Sequence, residues 1–261
     1  MCNKTYSTYM EYLNDIPINH GEAVYITSDV TPLLFSEKKA GRKFTLDKLI
    51  QDLKSIFNKD NTILIPAFNW DFCKGHPFDY NHSKSQAGIL GDYALKDKEF
   101  KRTKHPIYSF AVYGRDKEKL VDNDYIDSFG DDSIFHYLYY NNAAQIGIGK
   151  MTYTPFHFIE EHFFKDIIPY RYMKMFTSEY IDEFGVSRLK GYSMFVRNIE
   201  LNAVVNSAPF RQEVVDIGIV TQSFIDGVPY YFTHVYEYCN HAKEDIANNK
   251  SRKLICYDGR D

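Results

Sequence analysis

Two short apolar runs on either side of an amphipathic segment limit the possible folds of this chain more than any other feature. Residues 23–27 (AVYIT) and 62–68 (TILIPAF) are rich in β-branched and other apolar residues, which is typical of buried strands. Between them, residues 45–57 carry apolar side chains at the spacing of an amphipathic helix, and Thr45 is a suitable N-cap. This β-α-β order predicts two parallel strands joined by a right-handed crossover, with the helix on one face of the sheet.

The alternation of strands and helices continues along the chain. Residues 28–31 read as a polar loop, and residues 69–85, rich in Gly, Pro, Asn, Asp and His, as a long loop of the kind that often binds ligands. The later predicted elements are strands at residues 107–113 and 143–148, helices at 133–140 and 155–164, additional strands at 170–176 and 191–197, and a closing helix at 231–248. The two additional strands are consistent with a hairpin or an antiparallel extension in the C-terminal half.

Length and composition exclude several classes of protein. No linker or repeat divides the 261 residues, so a single domain over residues 1–261 is expected. The net charge of −4, without a basic block, argues against a nucleic-acid partner. The N-terminus lacks the apolar region of a signal peptide, and no stretch is long enough for a membrane span. The four cysteines form no CxxC pair, which indicates neither a zinc cage nor a disulfide framework and favours a reducing, cytoplasmic setting.

The segment of residues 147–162 carries the strongest chemical signal. Thr154 is a suitable N-cap and Pro155 suits the first helical position, which places His157 at the third position of the helix. The positive end of the helix dipole disfavours an imidazolium there, so His157 is expected to be a neutral base. Glu160 lies about one turn further on and can orient and stabilise the imidazole. This pair is the arrangement that amine acylation needs.

Two other interpretations of the same segment remain open at this stage. His157 can simply face a polar neighbour on an amphipathic helix. A metal site is the second alternative, because Glu161 and His162 are adjacent. His157 and His162 lie about 140° apart around a helix, however, and the His-x-x-Glu-His order of one metalloprotease class is broken by one inserted residue. No metal is therefore expected.

Five segments in order along the chain resemble the aminoglycoside 3-N-acetyltransferase family. The helix start that contains Thr154, His157 and Glu160 is similar to the Asn-Thr-x-x-His-x-x-Glu motif of that family. The other matching segments are TILIPAFNWD (62–71), SQAG (85–88), HPIYSFAVYG (105–114) and GDDSIFHYL (130–138). The resemblance implies an α/β fold with a central mixed sheet flanked by helices. It also implies acetyl-CoA, or another acyl-CoA, as donor, and direct transfer to an amine in a ternary complex, with His157 and Glu160 as the catalytic residues.

The same resemblance, together with side-chain chemistry, predicts which residues contact the two substrates. The predicted coenzyme A contacts are Ser28, Thr31, Ser109 and Thr154, and the predicted acceptor contacts are Asp29, Trp70, Asp71 and His105. Two of these assignments have alternatives. Asp29, which departs from the Ser-rich first loop of the family, can bind a substrate ammonium or cap a turn. His105 and Ser109 can line the acceptor pocket, but His-Pro is also a common entry into a strand.

The acceptor is predicted from charge. Aminoglycosides carry several ammonium groups and need an acidic cleft, whereas a net charge of −4 over the whole chain indicates no such cleft. Asp29 and the aromatic loop with Lys74 and Lys84 better suit a nucleotide-activated amino-deoxy sugar of surface polysaccharide synthesis. Antibiotic acetylation is the alternative, and a non-catalytic carbohydrate- or nucleotide-binding protein is the third possibility. A homo-oligomer is compatible with the sequence.

Overall fold

A mixed β-sheet with helices on both faces forms the centre of the computed structural model, which describes residues 5–259. In chain order the strands of this part are β1 (Ala23–Ser28), β2 (Thr62–Pro66), β3 (Phe78–Asp79), β4 (Lys101–Arg102), β5 (Phe110–Gly114), β6 (Ala144–Ile148), β7 (Arg171–Ile181), β8 (Ser187–Arg197), β9 (Val204–Val205), β10 (Thr221–Ile225), β11 (Val228–His234) and β12 (Ile255–Cys256). The helices are α1 (Tyr9–Asp15), α2 (Val30–Lys39), α3 (Leu46–Phe57), α4 (Ile89–Ala94), α5 (Lys117–Asp122), α6 (Ile134–Tyr140), α7 (Phe156–Phe164), α8 (Ala208–Asp216) and α9 (Val235–Asn249).

Within the described residues the large sheet has the strand order β10-β11-β6-β1-β2-β5-β4. β1 pairs in parallel with both β2 and β6, whereas β11 and β5 pair antiparallel to their inner neighbours. The predicted central mixed sheet is therefore confirmed. Because β6, β1 and β2 run in the same direction, their carboxyl ends meet at one edge of the sheet, the usual place for a ligand cleft in an open α/β sheet.

The connection between β1 and β2 differs from the prediction in one respect. Thr45 caps α3 as predicted, accepting a hydrogen bond of 3.1 Å from the Lys48 amide, and β1 and β2 are parallel. The predicted loop at residues 28–31 is wrong, because α2 begins at Val30. Asp29 is its N-cap, and its side chain satisfies the Thr31 amide. The crossover thus contains two helices.

The alternation of side chains along β1 divides the core into two layers. Val24 and Ile26 pack with α1, α2 and α3 on one face of the sheet, and Ala23 and Tyr25 pack with α6, α7 and α9 on the other. Fully buried leucines such as Leu49 and Leu53 anchor α3, and each such side chain contributes about 1.5–3 kcal/mol through burial. The core on both faces holds the sheet, and with it the loops at its carboxyl edge, in place.

The C-terminal half contains the additional antiparallel strands that the sequence predicted. β7 and β8 form a long hairpin whose register runs from Arg171 opposite Arg197 to Ile181 opposite Ser187. The prediction of a helix over residues 231–248 is wrong at its start, because residues 231–234 belong to β11 and α9 begins at Val235. The hairpin of β10 and β11 adds two strands to the large sheet. The predicted strand at residues 107–113 begins later, at Phe110.

None of the helices within residues 5–259 combines the length and the apolar character needed to cross a bilayer. Cys73, Cys239 and Cys256 are free, and Cys2 lies outside the described residues.

Candidate active site

A cleft of about 650 Å³ opens at the carboxyl ends of β1, β2 and β6. Residues that the sequence assigned to the two substrates line it, namely Ser28, Asp29, Thr31, Trp70 and Thr154. They come from three different loops, which meet here because the parallel strands that precede them end at the same edge. The cleft is therefore the candidate substrate site, and the topology of the sheet creates it.

Asp29 and Gly149 fix the shape of this cleft. Asp29 caps α2 through a hydrogen bond of 3.1 Å from the Thr31 amide to its Oδ1. Gly149 has φ of +71°, and a Cβ at this position would lie 2.1 Å from the Asp29 carbonyl oxygen. Only glycine allows the loop after β6 to pass so close to the loop after β1. This close approach brings the segment of residues 150–154 to the edge of the cleft.

His157 stands at the start of α7, one position earlier in the helix than predicted. Pro155 is the N-cap and Thr154 lies just outside, so the prediction that Thr154 caps the helix is wrong. The His157 amide donates a hydrogen bond of 3.0 Å to the Thr154 carbonyl, and this bond closes a tight turn at the start of the helix. His157 remains in the first turn, and Glu160 lies three residues further on.

The distance between His157 and Glu160 determines the tautomer of the imidazole. Nδ1 of His157 lies 2.6 Å from Oε2 of Glu160, which is buried. A nitrogen and a carboxylate oxygen this close need a proton between them, so Nδ1 carries the hydrogen and donates it. Nε2 is then the unprotonated nitrogen. It can accept a proton from a substrate that reaches the exposed side of the ring.

Arg171 completes the group, and sequence reasoning missed it. Its Nε lies 2.8 Å from Oε2 of Glu160, its Nη2 lies 2.9 Å from Nδ1 of His157, and its Nη1 donates to the Phe195 carbonyl at 3.0 Å. Since Nδ1 already donates its hydrogen to Glu160, it cannot also accept a hydrogen bond from Nη2 of Arg171. Arg171 therefore acts on the ring through its positive charge, and Glu160 is the counter-ion of Arg171. Arg171 begins β7, and no local pattern links it to α7.

Burial and these charges set the protonation states. Burial lowers the pKa of His157, the Arg171 charge lowers it further, and Glu160 opposes both only in part. Burial alone would raise the pKa of the Glu160 carboxyl, but Arg171 and His157 outweigh it and leave that pKa lowered. At neutral pH the pair is therefore a neutral imidazole held by an ionised carboxylate, which is the resting state of a general base.

His157 does not line the large cleft. It lines a smaller opening of about 200 Å³ together with Ser207, Arg211 and the segment of residues 150–154. Lys150, Thr152 and Thr154 border both openings. The site thus has two openings, which this short segment joins.

Three other predicted site residues do not line the cleft. His105 is fully buried and stacked on Tyr125, its Nδ1 accepts a hydrogen bond from the Tyr108 amide, and burial lowers its pKa to about 3. Ser109 is buried and donates to the Ala67 carbonyl at 2.6 Å. Asp71 pairs with Lys74 and accepts from Gln86. His105 and Ser109 therefore serve the fold, and Asp71 acts at the cleft only through Gln86, a lining residue.

No group of three or more His, Cys, Asp or Glu side chains in the described part of the chain is arranged to hold a metal ion.

The sequence and the fold are similar to known proteins. A family model described as aminoglycoside 3-N-acetyltransferase matches residues 37–222. The YokD protein from Bacillus subtilis is 18% identical with a TM-score of 0.70, and the match covers 92% of this chain and 97% of that one. AAC-IIIb in its binary complex with CoASH is 16% identical with a TM-score of 0.73, covering 94% and 97%. AAC-VIa bound to sisomicin is 15% identical with a TM-score of 0.71, covering 94% and 99%. No curated protein sequence matches the chain.

Proposed function

This chain belongs to the aminoglycoside 3-N-acetyltransferase family, and from that membership we propose that it transfers an acetyl group from acetyl-CoA to an amino group of an amino sugar. The observation that carries the proposal is the contact of 2.6 Å between His157 and Glu160, which leaves Nε2 of the imidazole free at an opening of the surface. A neutral base held in this way can remove the proton that an attacking amine must lose.

The proposed reaction is a direct transfer. The amine nitrogen attacks the thioester carbonyl while Nε2 of His157 accepts its proton, a C–N bond forms, and the C–S bond breaks. The imidazolium then returns the proton to the departing thiolate. Glu160 stabilises the imidazolium during this exchange, because its carboxylate is ionised and in contact with the ring. No acyl-enzyme is needed.

Acetyl-CoA is proposed to occupy the large cleft. One solved structure of the same fold is a complex with CoASH. The cleft offers the side chains of Ser28, Thr31 and Thr154 to the amides of a pantetheine arm. Thr154 borders both the cleft and the opening at His157, so a thioester at this point would face the base.

Two acceptor classes follow from different observations. The family description and a neighbour bound to sisomicin favour an aminoglycoside, which is the first acceptor to try. A nucleotide-linked amino sugar, predicted from composition, is the second. Its support is the charge around the base: none of the described residues that line the opening at His157 is Asp or Glu. A polycation usually needs several carboxylates to bind, and this opening offers none among the described residues.

The test is release of thiol from acetyl-CoA in the presence of aminoglycosides and of nucleotide-linked amino sugars, with the His157→Ala variant as control. Acceptor-dependent release that this variant loses supports the proposal, and the acceptor with the higher kcat/KM identifies the class. An aminoglycoside kcat/KM about tenfold higher, equal to about 1.4 kcal/mol of transition-state binding, would establish the first candidate. Binding of coenzyme A without release for any acceptor would indicate a non-catalytic binding protein and overturn the proposal.

A further inference from the structure

A basic groove runs from His157 along the start of α8. We use this name for two adjoining cavities of about 200 and 330 Å³, which share Lys150, Met151, Tyr153 and Arg211 as lining residues. His157 and Ser207 lie in the smaller cavity, and Gln222 and Tyr231 in the larger one. The groove adjoins the large cleft, with which it shares Lys150, Thr152 and Thr154 as lining residues.

The groove is positively charged. None of the described residues that line it is Asp or Glu. Lys150 and Arg211 are exposed, and neither has an ion-pair partner within residues 5–259. Glu213, the nearest acid along α8, is outside the lining and pairs with Lys253 at 2.6 Å. The charge of Arg197 also reaches this end of the site, because it contributes to the lowered pKa of His157.

The position of His157 indicates which substrate enters here. A general base must contact the nucleophile from which it removes a proton. His157 lines the groove and not the large cleft, so the amine approaches through the groove if the proposed function holds. A polycation in this place would be repelled by Lys150 and Arg211, whereas an anionic group next to the amine would be attracted.

Resting on the proposed function, we infer that the basic groove binds a phosphate-bearing part of the acceptor, such as the diphosphate of a nucleotide-linked amino sugar. Arg211 can bind phosphate oxygens with two parallel N–H groups, and Lys150 adds a second positive charge at the rim. Ser207 and Gln222 offer side-chain donors along the same path. The groove thus selects the acceptor by charge, and Arg211 is its specificity-determining residue.

Direct binding tests this inference without turnover. The affinities of inorganic pyrophosphate, UDP and coenzyme A are measured by calorimetry for the parent, for Arg211→Gln, and for Arg188→Gln as matched control. Arg188 lies near the turn of the β7–β8 hairpin, about 30 Å along the strand from Arg197. We expect saturable binding of UDP and pyrophosphate that Arg211→Gln weakens about tenfold or more, and Arg211→Lys by less. Coenzyme A affinity should change less than about twofold, and Arg188→Gln should match the parent.

Two results would overturn the inference. One is the lack of saturable UDP and pyrophosphate binding by the folded parent, or equal binding by Arg211→Gln. The other is that Arg211→Gln weakens the binding of coenzyme A but not of UDP or pyrophosphate, and weakens the binding of dephospho-coenzyme A less. The groove would then hold the phosphates of the donor. Melting temperatures confirm that each variant is folded. Because the proposed acetyl transfer is judged by thiol release, failure of that function and failure of this inference are separate outcomes.

Discussion

Arg171 and Glu160 form a buried ion pair, with Nε of the guanidinium 2.8 Å from Oε2 of the carboxylate. The same oxygen lies 2.6 Å from Nδ1 of His157. Glu160 therefore contacts the imidazole of His157 and is at the same time paired with the permanent positive charge of Arg171. A buried carboxylate is costly unless it is paired, and Arg171 allows Glu160 to stay ionised in the absence of an imidazolium.

The first prediction concerns Arg171. Its charge lowers the pKa of both His157 and Glu160, so Arg171→Gln should raise both. The proposed mechanism needs a neutral His157, so the acidic limb of the kcat/KM–pH profile should move to higher pH. Arg171→Lys keeps the charge and should shift the limb less. Since a structural role alone would lower stability without moving the profile, an unchanged limb in a folded Arg171→Gln protein would count against this role.

The second prediction concerns His157. His157→Ala or His157→Asn should reduce turnover by roughly 10²–10⁴-fold, the usual contribution of a general base, while coenzyme A binding persists. The residual rate should rise with pH as free amine accumulates, whereas the parent should level off once His157 is neutral. Glu160→Gln should cost less, because the proton acceptor remains. Turnover near the parental rate in a folded His157→Ala protein would contradict the proposed role of His157 as general base.

The third prediction concerns Asp29, which caps α2. Asparagine caps helices about as well as aspartate, so Asp29→Asn should keep stability, whereas Asp29→Ala should cost about 1 kcal/mol. The sequence assigns Asp29 to the acceptor, whereas the cleft that Asp29 lines is proposed for acetyl-CoA. If the carboxylate binds the acceptor amine, Asp29→Asn should raise the acceptor KM and leave the coenzyme A affinity nearly unchanged. Calorimetry that instead shows lost coenzyme A binding with an intact acceptor KM would assign Asp29 to the donor.

The fourth prediction concerns Glu161, which is buried with Oε2 lacking a hydrogen-bond partner among the described residues. Burial, and to a lesser degree Asp127, raises its pKa from 4.5 to about 7. The folded state therefore holds a proton that the unfolded state has lost, and stability should fall as pH rises from about 4.5 to 7. Glu161→Gln removes the ionisable group, so it should raise the free energy of unfolding by on the order of 3 kcal/mol above pH 7 and by little near pH 4.

Urea unfolding of the parent and Glu161→Gln at pH 5 and pH 8 measures this difference. Glu179→Gln, on the exposed side of the β7–β8 hairpin, is the matched control and should give the same change at both pH values. A Glu161→Gln protein that gains no stability at pH 8 relative to pH 5 would show that the Glu161 carboxyl ionises normally.

Local pattern was enough to predict much of the fold. The apolar runs of β1 and β2, the helical spacing of α3 and the cap at Thr45 are properties of short segments, and they survive in the structure because each agrees with the global packing. The His157–Glu160 contact was predictable for the same reason, since three residues along a helix is a fixed local distance. The helix start was misplaced by one residue, because a proline can serve as N-cap as well as occupy the first turn.

The sequence by itself determined the α/β class and the contact between His157 and Glu160, because both follow from periodicity within about a dozen residues. Only the tertiary structure decided that His105 is buried in the fold, that Arg171 holds Glu160, and that His157 opens into the groove with Arg211 and not into the large cleft. Arg171 and Arg211 reach the site through β7 and α8, elements distant in the chain from the loop after β6. No spacing in the sequence encodes such contacts, since they arise from the way whole elements pack.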